Sequence, residues 1–401
     1  MQTNLAEFIR GTAAGREAEQ ILRKCVHCGF CNATCPTYQI LGDELDGPRG
    51  RIYLIKQLLE GQCVSNKTQT HLDRCLTCRA CETTCPSGVS YGRLLDIGRE
   101  IVEQKVPRRG LDRVLRFLLR VILPYPSRVR PLLKLTLGLR PVLPASIRRS
   151  VPTAPGPGTW PAGKHTRQML ALDACVQNVV APQIDSTAAY ILDKLGVSLI
   201  RASGGGCCGA LSHHMGDHSD ALNFMRRNID AWWPHIVAGA EALVMTASGC
   251  GVVVKEYGEL LKDDPAYAGK AARISSMTKD MAEVLAVEDL SALNIARSEI
   301  IAFQAPCTLQ HGQRIHGVVE GILQCLGFKL TTVPDNHLCC GSAGTYSILQ
   351  QELSQTLLYH KVRALESGQP SLIVTANIGC LLHLQSGTDL PVKHWLELLA
   401  D

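Results

Sequence analysis

The sequence predicts an α+β multidomain fold, in which a helical N-terminal domain precedes a pseudo-symmetric pair of α/β repeats. Two runs of four cysteines, between residues 25 and 85, indicate the first domain. A Cys-Cys-Gly triplet that begins at Cys207 and again at Cys339 indicates the pair of repeats. The Pro/Gly-rich segment Val151–Gly163 is typical of a linker. We therefore expect domains over residues 1–104, 166–290 and 291–401, with a basic helical segment and linker over 105–165.

The two cysteine runs share one spacing. "CVHCGFCNATCP" begins at Cys25 and "CLTCRACETTCP" begins at Cys75, and both follow C-x2-C-x2-C-x3-C-P. This is the spacing of two-cluster ferredoxins, in which the fourth cysteine of each run binds the cluster held by the other run. The expected ligands are Cys25, Cys28, Cys31 and Cys85 for one [4Fe–4S] cluster, and Cys75, Cys78, Cys81 and Cys35 for the second. A pair of structural zinc sites is the alternative, but zinc gives no reason for the repeated x3-C-P ending.

The segments around the cysteine runs read as helices. Residues 5–24 look like one helix, and residues 91–105 another. "GPRGRIYLIKQLLEG" predicts a helix that starts after Pro48 and stops at Gly61. A helix between the runs favours an α-helical ferredoxin type over the β-type with short strands. We expect Arg49, Arg51 and Lys56 on a solvated face of this helix, with a position beside the anionic clusters as the alternative.

Residues 105–150 are strongly basic. They carry twelve Lys or Arg against a single acid, Asp112. Leu111–Pro124 reads as a basic amphipathic helix, and Pro124 ends it. Such a helix can lie on an anionic membrane surface or against an acidic partner, with Arg113, Arg116 and Arg120 making the contact. Alternatively, it is a linker helix that packs on its own domain and turns its arginines to water.

Beyond the linker, each half presents the same series of cysteines. Cys175 precedes Cys207 by 32 residues, and Cys307 precedes Cys339 by the same 32. Each Cys-Cys-Gly triplet is followed by a strand-like run that ends in a single cysteine, Cys250 or Cys380. Each half reads as strand, helix, strand, Cys-Cys-Gly loop, helix, strand and helix. This alternation predicts parallel strands in two βα-type units.

Each half thus offers four thiolates. They are Cys175, Cys207, Cys208 and Cys250 in the first half, and Cys307, Cys339, Cys340 and Cys380 in the second. Because adjacent residues of a strand point to opposite faces, a Cys-Cys pair that serves one metal must lie in a turn. A further iron–sulfur cluster or zinc, a redox-active thiol pair, and buried packing cysteines all stay open. If only one half binds metal, we expect the second.

Three other side chains belong to this part of the prediction. His383 follows Cys380 by three residues, so it is either an extra ligand or, more commonly for such a histidine, a hydrogen-bond donor to the site. Cys325 is expected in the core. Cys63, in a polar loop outside both runs, is expected to be a spare thiol.

The bulk composition excludes several functions. A net charge of +5 is mild, so we expect no nucleic acid as a partner. The chain has no G-x-G-x-x-G after a strand and no G-x-x-x-x-G-K-[ST], so we expect no flavin, nicotinamide or nucleotide site in it. It also has no apolar leader and no stretch of ~20 uncharged apolar residues. Eighteen cysteines used for metal fit a reducing, intracellular compartment.

Together, these motifs resemble those of a known protein family. Twin C-x2-C-x2-C-x3-C-P runs followed by two Cys-Cys-Gly repeats resemble a family of two-domain iron–sulfur subunits. The family includes those of glycolate oxidase, lactate utilisation systems, anaerobic glycerol-3-phosphate dehydrogenase and heterodisulfide reductase. "HLDRCLTCRACETTCPSGV", "TASGCGVVVKEYG" and "HLCCGSAGTY" are most similar to the bacterial glycolate oxidase subunits. The similarity runs over nearly the whole chain, and only the linker region is undistinctive.

The resemblance implies a function as an electron-transfer subunit. It implies a complex with FAD-binding-type subunits, one of which oxidises glycolate to glyoxylate, so that FAD belongs to the partner subunits only. The electrons would leave for a membrane acceptor such as quinone. The chain would then be cytoplasmic and peripheral on the cytoplasmic face of the inner membrane.

An alternative of another class is a thiol or disulfide reductase subunit that resembles heterodisulfide reductase. In those relatives a further cysteine commonly follows the last cysteine of a repeat by three positions. Val253 and His383 occupy these positions here, so the fifth thiolate is missing from both halves. This departure puts the unusual cluster and the disulfide-reducing activity of those relatives in doubt.

Overall fold

The N-terminal part of the chain is helical. The computed structural model describes residues 1–142, 156, 158–293, 295 and 298–400, so residues 151–155 and 157 of the predicted linker lie outside the described residues. The helices before the linker are α1 Ala13–Lys24, α2 Phe30–Ala33, α3 Pro36–Leu41, α4 Pro48–Leu59, α5 Asn66–Asp73, α6 Ala80–Thr84, α7 Tyr91–Lys105, α8 Gly110–Ile122 and α9 Pro126–Leu139, with 3₁₀ turns at Glu44–Asp46 and Arg140–Val142.

The helix predicted between the cysteine runs is confirmed as α4. It begins at Pro48, whose fixed φ suits the first turn of a helix, and it packs against α7 around Ile55 and Leu58. The helix predicted over residues 5–24 was wrong in its first half. Gly11 has a φ of +80°, and Thr12 accepts a hydrogen bond from the Gly15 N–H at 3.0 Å, so the helix begins only at Ala13.

Two four-stranded sheets follow, and every strand pair in them is parallel. The first has the order β2-β1-β3-β4 and the second β6-β5-β7-β8, which confirms the pseudo-symmetric pair of α/β units. The strands are β1 Arg167–Ala171, β2 Val197–Arg201, β3 Leu243–Met245, β4 Thr278–Asp280, β5 Ile300–Gln304, β6 Lys329–Leu330, β7 Leu372–Thr375 and β8 Val392–His394. The sequence pattern missed β4 and β8, because three-residue strands are too short to show a period.

Helices cover both faces of the sheets. They are α10 Gln177–Val180, α11 Gln183–Lys194, α12 Ala210–His214, α13 His218–Val237, α14 Ser248–Lys255, α15 Tyr257–Leu260, α16 Ala268–Met277, α17 Met281–Leu285, α18 Val318–Cys325, α19 Tyr346–Leu349, α20 Gln351–Glu366 and α21 Ile378–Gly387. A π-helix spans Thr308–Gly312, and 3₁₀ turns span Leu290–Leu293 and Trp395–Leu399.

The two sheets share one core and each keeps a second core of its own. Alternate residues of a strand point to opposite faces. Accordingly Met169 of β1 and Phe303 of β5 lie in the shared core, whereas Leu170 packs in the core private to the first repeat. Every cysteine predicted as a ligand in the repeats lies after the carboxyl end of a strand. This is the edge at which open α/β sheets place ligands.

Candidate metal centres

Two cavities in the helical domain gather the eight cysteines of the twin runs. The first is lined by Cys25, Cys28, Cys31 and Cys85, together with Cys81. The second is lined by Cys35, Cys75, Cys78 and Cys81. The fourth cysteine of each run therefore reaches the cavity formed by the other run, which is the crossed arrangement expected from the spacing.

Backbone conformation explains how each run aims three thiols at one place. His27 and Gly29 in the first run have φ values of 62° and 89°, and Thr77 and Arg79 at the equivalent positions of the second have 54° and 61°. Three of these four residues are not glycine, and side-chain residues rarely adopt left-handed conformations. Such local strain persists where the surrounding structure or a bound group enforces it, and it clusters at functional sites.

The sulfur atoms of the two cavities are not gathered as closely as the ligands of a single zinc ion. Tetrahedral zinc with Zn–S bonds of about 2.3 Å places its sulfurs about 3.8 Å apart. Among the described residues, the two sets of three His, Cys, Asp or Glu donors that converge within 4.8 Å contain no cysteine. The cysteines of both cavities are thus grouped too loosely for one zinc ion.

The protonation of the thiols agrees with metal ligation rather than with free nucleophiles. Burial, followed by the neighbouring Cys25, raises the pKa of Cys31 to about 11. Burial likewise raises the pKa of Cys81 well above its ordinary value, and Cys78 and Cys75 add to the effect. A buried thiol with a raised pKa is a poor nucleophile, but a bound metal can replace its proton.

The cysteines of each repeat also come together. In the second repeat the sulfurs of Cys307 and Cys339 are 3.9 Å apart, and Cys339 and Cys340 interact with each other, as do Cys340 and Cys380, strongly enough to shift one another's pKa. The first repeat has the same series of contacts. It runs through Cys175, Cys207, Cys208 and Cys250.

Glycine at the end of each Cys-Cys pair makes the turn possible. Gly209 and Gly341 have φ values of +87° and +92°. A β-carbon at these positions would lie 2.9 Å from the Ala221 carbonyl oxygen and 2.6 Å from that of Ser354, respectively. Only glycine therefore fits at this position of the triplet, because of the left-handed backbone conformation and because the next helix approaches closely.

His383 supports the second Cys-Cys-Gly loop through a serine. Its Nε2 lies 3.1 Å from the Ser354 hydroxyl, which donates to the Gly341 carbonyl oxygen at 2.8 Å. Asn377 donates from its side-chain amide to the sulfur of Cys380 at 3.6 Å. These contacts hold the loop and one of its thiols in place, as expected of groups around a metal centre.

Two cysteines were expected not to bind metal, and the predicted environment is correct for one of them. Cys63 is exposed, as expected of a spare loop thiol. Cys325 is exposed too, so its assignment to the core was wrong. Helix α18 buries Val319, Ile322 and Leu323, whereas Cys325 is its last residue and lies at the edge of this stripe, where it is exposed.

Comparison with known proteins agrees with this arrangement. Residues 21–89 match the family described as "4Fe-4S dicluster domain", and residues 169–255 and 301–385 match "Cysteine-rich domain". The chain is 54% identical to the glycolate oxidase iron–sulfur subunit of Escherichia coli over 400 residues, which cover 100% of this chain and 98% of that protein. The chain belongs to the family of glycolate oxidase iron–sulfur subunits. Its role is therefore that of an iron–sulfur electron-transfer subunit of an oxidoreductase.

More distant relatives share parts of this iron–sulfur subunit. The probable glycolate oxidase iron–sulfur subunit of Bacillus subtilis is 30% identical, over 93% of this chain and 90% of that protein. Lactate utilization protein A of Bacillus velezensis is 28% identical, over 56% of this chain and 95% of that protein. A crystal structure of a hypothetical protein from Helicobacter pylori shares the fold, with a TM-score of 0.54 at 11% identity over 98% of this chain and 73% of that one.

Arg51 of the iron–sulfur subunit lies beside the second cavity, so its prediction as a solvated residue was wrong. Its guanidinium is buried, donates to the His71 carbonyl oxygen at 2.7 Å and forms an ion pair with Asp46 at 3.5 Å. Burial opposes its charge, but Cys75, Tyr91 and Cys35 are among the groups that hold its pKa above the ordinary value. A buried cation therefore faces the thiols of the second cavity.

Its two basic neighbours on α4 differ. Arg49 is half-buried, lines the first cavity and pairs with Glu44 at 2.6 Å, so it does not lie on a fully solvated face either. Lys56 pairs with Glu60 at 2.7 Å, one helical turn later. The Lys56 side chain is 18% exposed against 33% for Arg49, so the solvated face predicted for the three residues is wrong for Arg51 and at best partial for the other two.

The second cavity adjoins the second repeat, a contact that sequence reasoning missed. After burial, the nearby Cys307 is the main group that raises the pKa of Cys78, and Leu76, Cys307 and Cys339 pack into one small apolar cluster with Cys78 at its edge. Across the same interface, the Tyr346 hydroxyl donates to the Arg74 carbonyl oxygen at 3.1 Å. The thiols of the helical domain and of the second repeat are thus neighbours in space.

Proposed function

We propose that this chain carries electrons from the FAD of a partner subunit, which oxidises glycolate to glyoxylate, to an acceptor at the membrane, quinone. The observation that supports this best is the line of thiol groups through the molecule. The first cavity lies at the surface, the second lies deeper, and the second repeat's quartet lies against the second cavity. When bound, iron–sulfur clusters supply one-electron chemistry at each of these positions.

The proposal assigns ligands as the spacing predicted. Cys25, Cys28, Cys31 and Cys85 hold one [4Fe–4S] cluster, and Cys75, Cys78, Cys81 and Cys35 hold the other, within a domain that ends near residue 104. A further cluster is assigned to the second repeat, through Cys307, Cys339, Cys340 and Cys380. Burial of the thiols in both quartets weighs against the disulfide-reductase alternative, because it lowers their reactivity.

The partner flavin subunit docks beside the first cavity in this proposal. Cys28 is exposed there, and Val26 and Phe30, next to it in the loop and at the start of α2, are 69% and 63% exposed. Tyr53 on α4 adds a third exposed apolar side chain, 6.3 Å from the His27 ring. An apolar patch around an exposed ligand is a suitable contact for a redox partner.

The membrane end of the path is assigned to α8 and α9. Leu111, Val114 and Leu118 form a stripe on α8 that faces solvent, and Leu111 is 87% exposed. On α9, Leu132, Leu135 and Leu139 do the same. No helix among the described residues is long and apolar enough to cross a membrane, so the proposed contact is one in which these helices lie on its surface.

Charge around this face favours anionic lipid. The exposed cations are Lys105, Arg109, Arg113, Arg128, Arg130 and Lys134. The single acid of the segment, Asp112, already pairs with Arg116 at 3.0 Å and with Arg108 at 3.1 Å. A basic rim around an apolar face matches the anionic surface of the cytoplasmic leaflet.

The arginines expected to make this contact do not all point outward. Arg116 pairs with Asp73 at 3.1 Å, and Arg120 pairs with Asp217 at 2.6 Å, so both bind their own chain. Arg113 alone of the three is exposed. The expectation that all three arginines contact a partner or water was therefore wrong, because Arg116 and Arg120 lie on the side of α8 that packs on the protein.

The Cys28→Ser variant tests the proposed function. We expect the complex that contains it to lose about half of the iron of the helical domain and its dye-linked oxidation of glycolate. Cys63→Ser is the matched control, because Cys63 is also exposed but lies outside both runs. Full activity and full iron content in Cys28→Ser would contradict the assignment.

A further inference from the structure

A buried carboxylate joins the helical domain to the first repeat through two histidines. Asp96 lies on α7 and is 1% exposed, and His213 and His214 end α12, just after the first Cys-Cys-Gly loop. Asp96 Oδ2 is 3.2 Å from His213 Nε2, and Asp96 Oδ1 is 3.4 Å from His214 Nδ1. The three donor atoms all lie within 4.8 Å of one another.

These distances are long for a charge-assisted hydrogen bond. Such bonds between a cationic nitrogen and a carboxylate are about 2.7–2.9 Å long. The two histidine nitrogens instead lie at 3.2 and 3.4 Å from different oxygens of Asp96. One ligand atom of each of the three residues lies within 4.8 Å of the other two, so a single small ion can be reached by all three side chains.

A second group of three converging side chains differs from this one in its ion pairs. Asp43, Asp46 and His71 also bring three donors within 4.8 Å. Asp46, however, already pairs with Arg74 at 2.8 Å and with Arg51 at 3.5 Å, so its charge is balanced. The described ion pairs of Asp96 involve histidines only.

His218, next to this group, has a ring nitrogen that makes no hydrogen bond. Its ring stacks on that of His213 with 4.6 Å between the centroids. Its Nδ1 lies 3.1 Å from a carboxylate oxygen of Glu100, whereas its Nε2 is buried and has no hydrogen-bond partner. The interface thus contains one more imidazole nitrogen than its hydrogen bonds account for.

We propose that Asp96, His213 and His214 bind one Zn²⁺ ion, which fastens the helical domain to the first repeat. Zinc accepts imidazole and carboxylate ligands in a tetrahedron, and three protein ligands leave one position for water. The ion would fix α7 against α12, next to the loop that carries Cys207 and Cys208. This site is separate from the cysteine centres and from the proposed path of electrons.

The test is zinc binding by the full chain, purified anaerobically with its clusters in place. We expect one Zn²⁺ per chain, with X-ray absorption at the zinc edge showing only nitrogen and oxygen ligands at about 2.0–2.1 Å. His214→Gln should weaken zinc affinity at least about tenfold, with iron content unchanged. Asp96→Asn should do the same and removes the carboxylate ligand.

His165→Gln is the matched control. His165, just before β1, pairs with Asp193 of the first repeat at 2.9 Å, but no third donor among the described residues converges there. Its zinc content should equal that of the unmodified chain. The proposal is overturned if the unmodified chain binds no such zinc, if its zinc has sulfur ligands at about 2.3 Å, or if His214→Gln, folded and with full iron, keeps its zinc.

Discussion

At the scale of single residues, the environment of a charged side chain decides its effect more than its type does. Arg51 and Lys56 lie five residues apart on α4, yet one is buried against thiols and the other pairs with Glu60 near the surface. A charge in the interior interacts through a lower effective dielectric than a charge at the surface. Arg51 is therefore placed to tune a redox centre, and Lys56 is not.

We predict that Arg51→Met lowers the reduction potential of the proposed second cluster. Removing a neighbouring positive charge makes the addition of an electron less favourable, by on the order of 1–2 kcal/mol at an effective dielectric of about 20. A redox titration followed by electron paramagnetic resonance measures the change. Lys56→Met serves as the control and should leave the potential as it is. An unaltered potential in Arg51→Met would show that Arg51 has only a structural role.

Asp185 gives a pH-dependent prediction. Burial raises its pKa to about 6, although Thr246 and Gln177 donate to it at 2.6 and 2.7 Å. Because the folded pKa lies above the unfolded value of about 4, Asp185 contributes fully to stability below pH ~4, and that contribution is lost as pH rises through about 6.

Asp185→Asn should remove this loss of stability. The melting temperature of the variant, relative to the unmodified protein, should rise between pH 3 and pH 7, in keeping with about 2–3 kcal/mol for a shift of about two units. Calorimetry across this range measures it. A difference that is constant with pH would contradict the raised pKa.

At the scale of elements, α8 differs from an ordinary surface helix in exposing an apolar stripe to solvent. Such a helix turns its apolar stripe to the core and its charges to water. Here Arg116 and Arg120 bind acids of the chain, whereas Leu111, Val114 and Leu118 face outward. The strong amphipathicity of the segment was visible in the sequence, but its direction was not.

We predict that Leu111→Asp, Val114→Asp and Leu118→Asp together abolish binding to anionic vesicles. They remove the apolar contact and add charges that an anionic bilayer repels. Flotation with vesicles that contain phosphatidylglycerol measures binding, and high salt should weaken the binding of the unmodified chain only in part. Val237→Asp and Val287→Asp, at exposed apolar positions elsewhere, are controls. Equal flotation of all variants would contradict a lipid-facing α8.

At the scale of the whole molecule, the helical domain contacts both repeats but in different ways. Arg79 forms a charged hydrogen-bonded pair with Glu256, which ends the cysteine-bearing helix α14 of the first repeat. The second repeat instead brings Cys307 and Cys339 to Cys78. The two repeats have the same topology, so this difference comes from how they pack on the helical domain.

We predict that the two Cys-Cys-Gly repeats are not equivalent in electron transfer. Cys339→Ser should lower iron content and slow the reduction of quinone by the complex, because its quartet lies next to the second cavity. Cys207→Ser, its counterpart in the first repeat, is the matched comparison. Metal analysis and quinone-reductase rates of the full complex decide between them. Loss of metal and rate in Cys207→Ser alone would reverse the assignment.

The sequence by itself determined what is local. The spacing of the cysteine runs predicted the crossed cavities, Pro48 predicted the start of α4, and the repeated Cys-Cys-Gly triplets predicted two alike α/β units. Each of these depends on residues close together in the chain or on a pattern repeated within it. The glycine of each triplet was similarly predictable, because a turn at adjacent cysteines needs a left-handed residue.

Only the tertiary structure decided which surfaces meet. Burial of Arg51, exposure of Cys325, the inward side of α8, and the meeting of Asp96 with His213 all depend on residues distant in sequence. An amphipathic period shows that a helix has an apolar and a charged side. It does not show which side packs on the protein when the apolar side can bury its surface and the charged side can form ion pairs. That choice comes from the packing of the helical domain on the repeats, which no local pattern encodes.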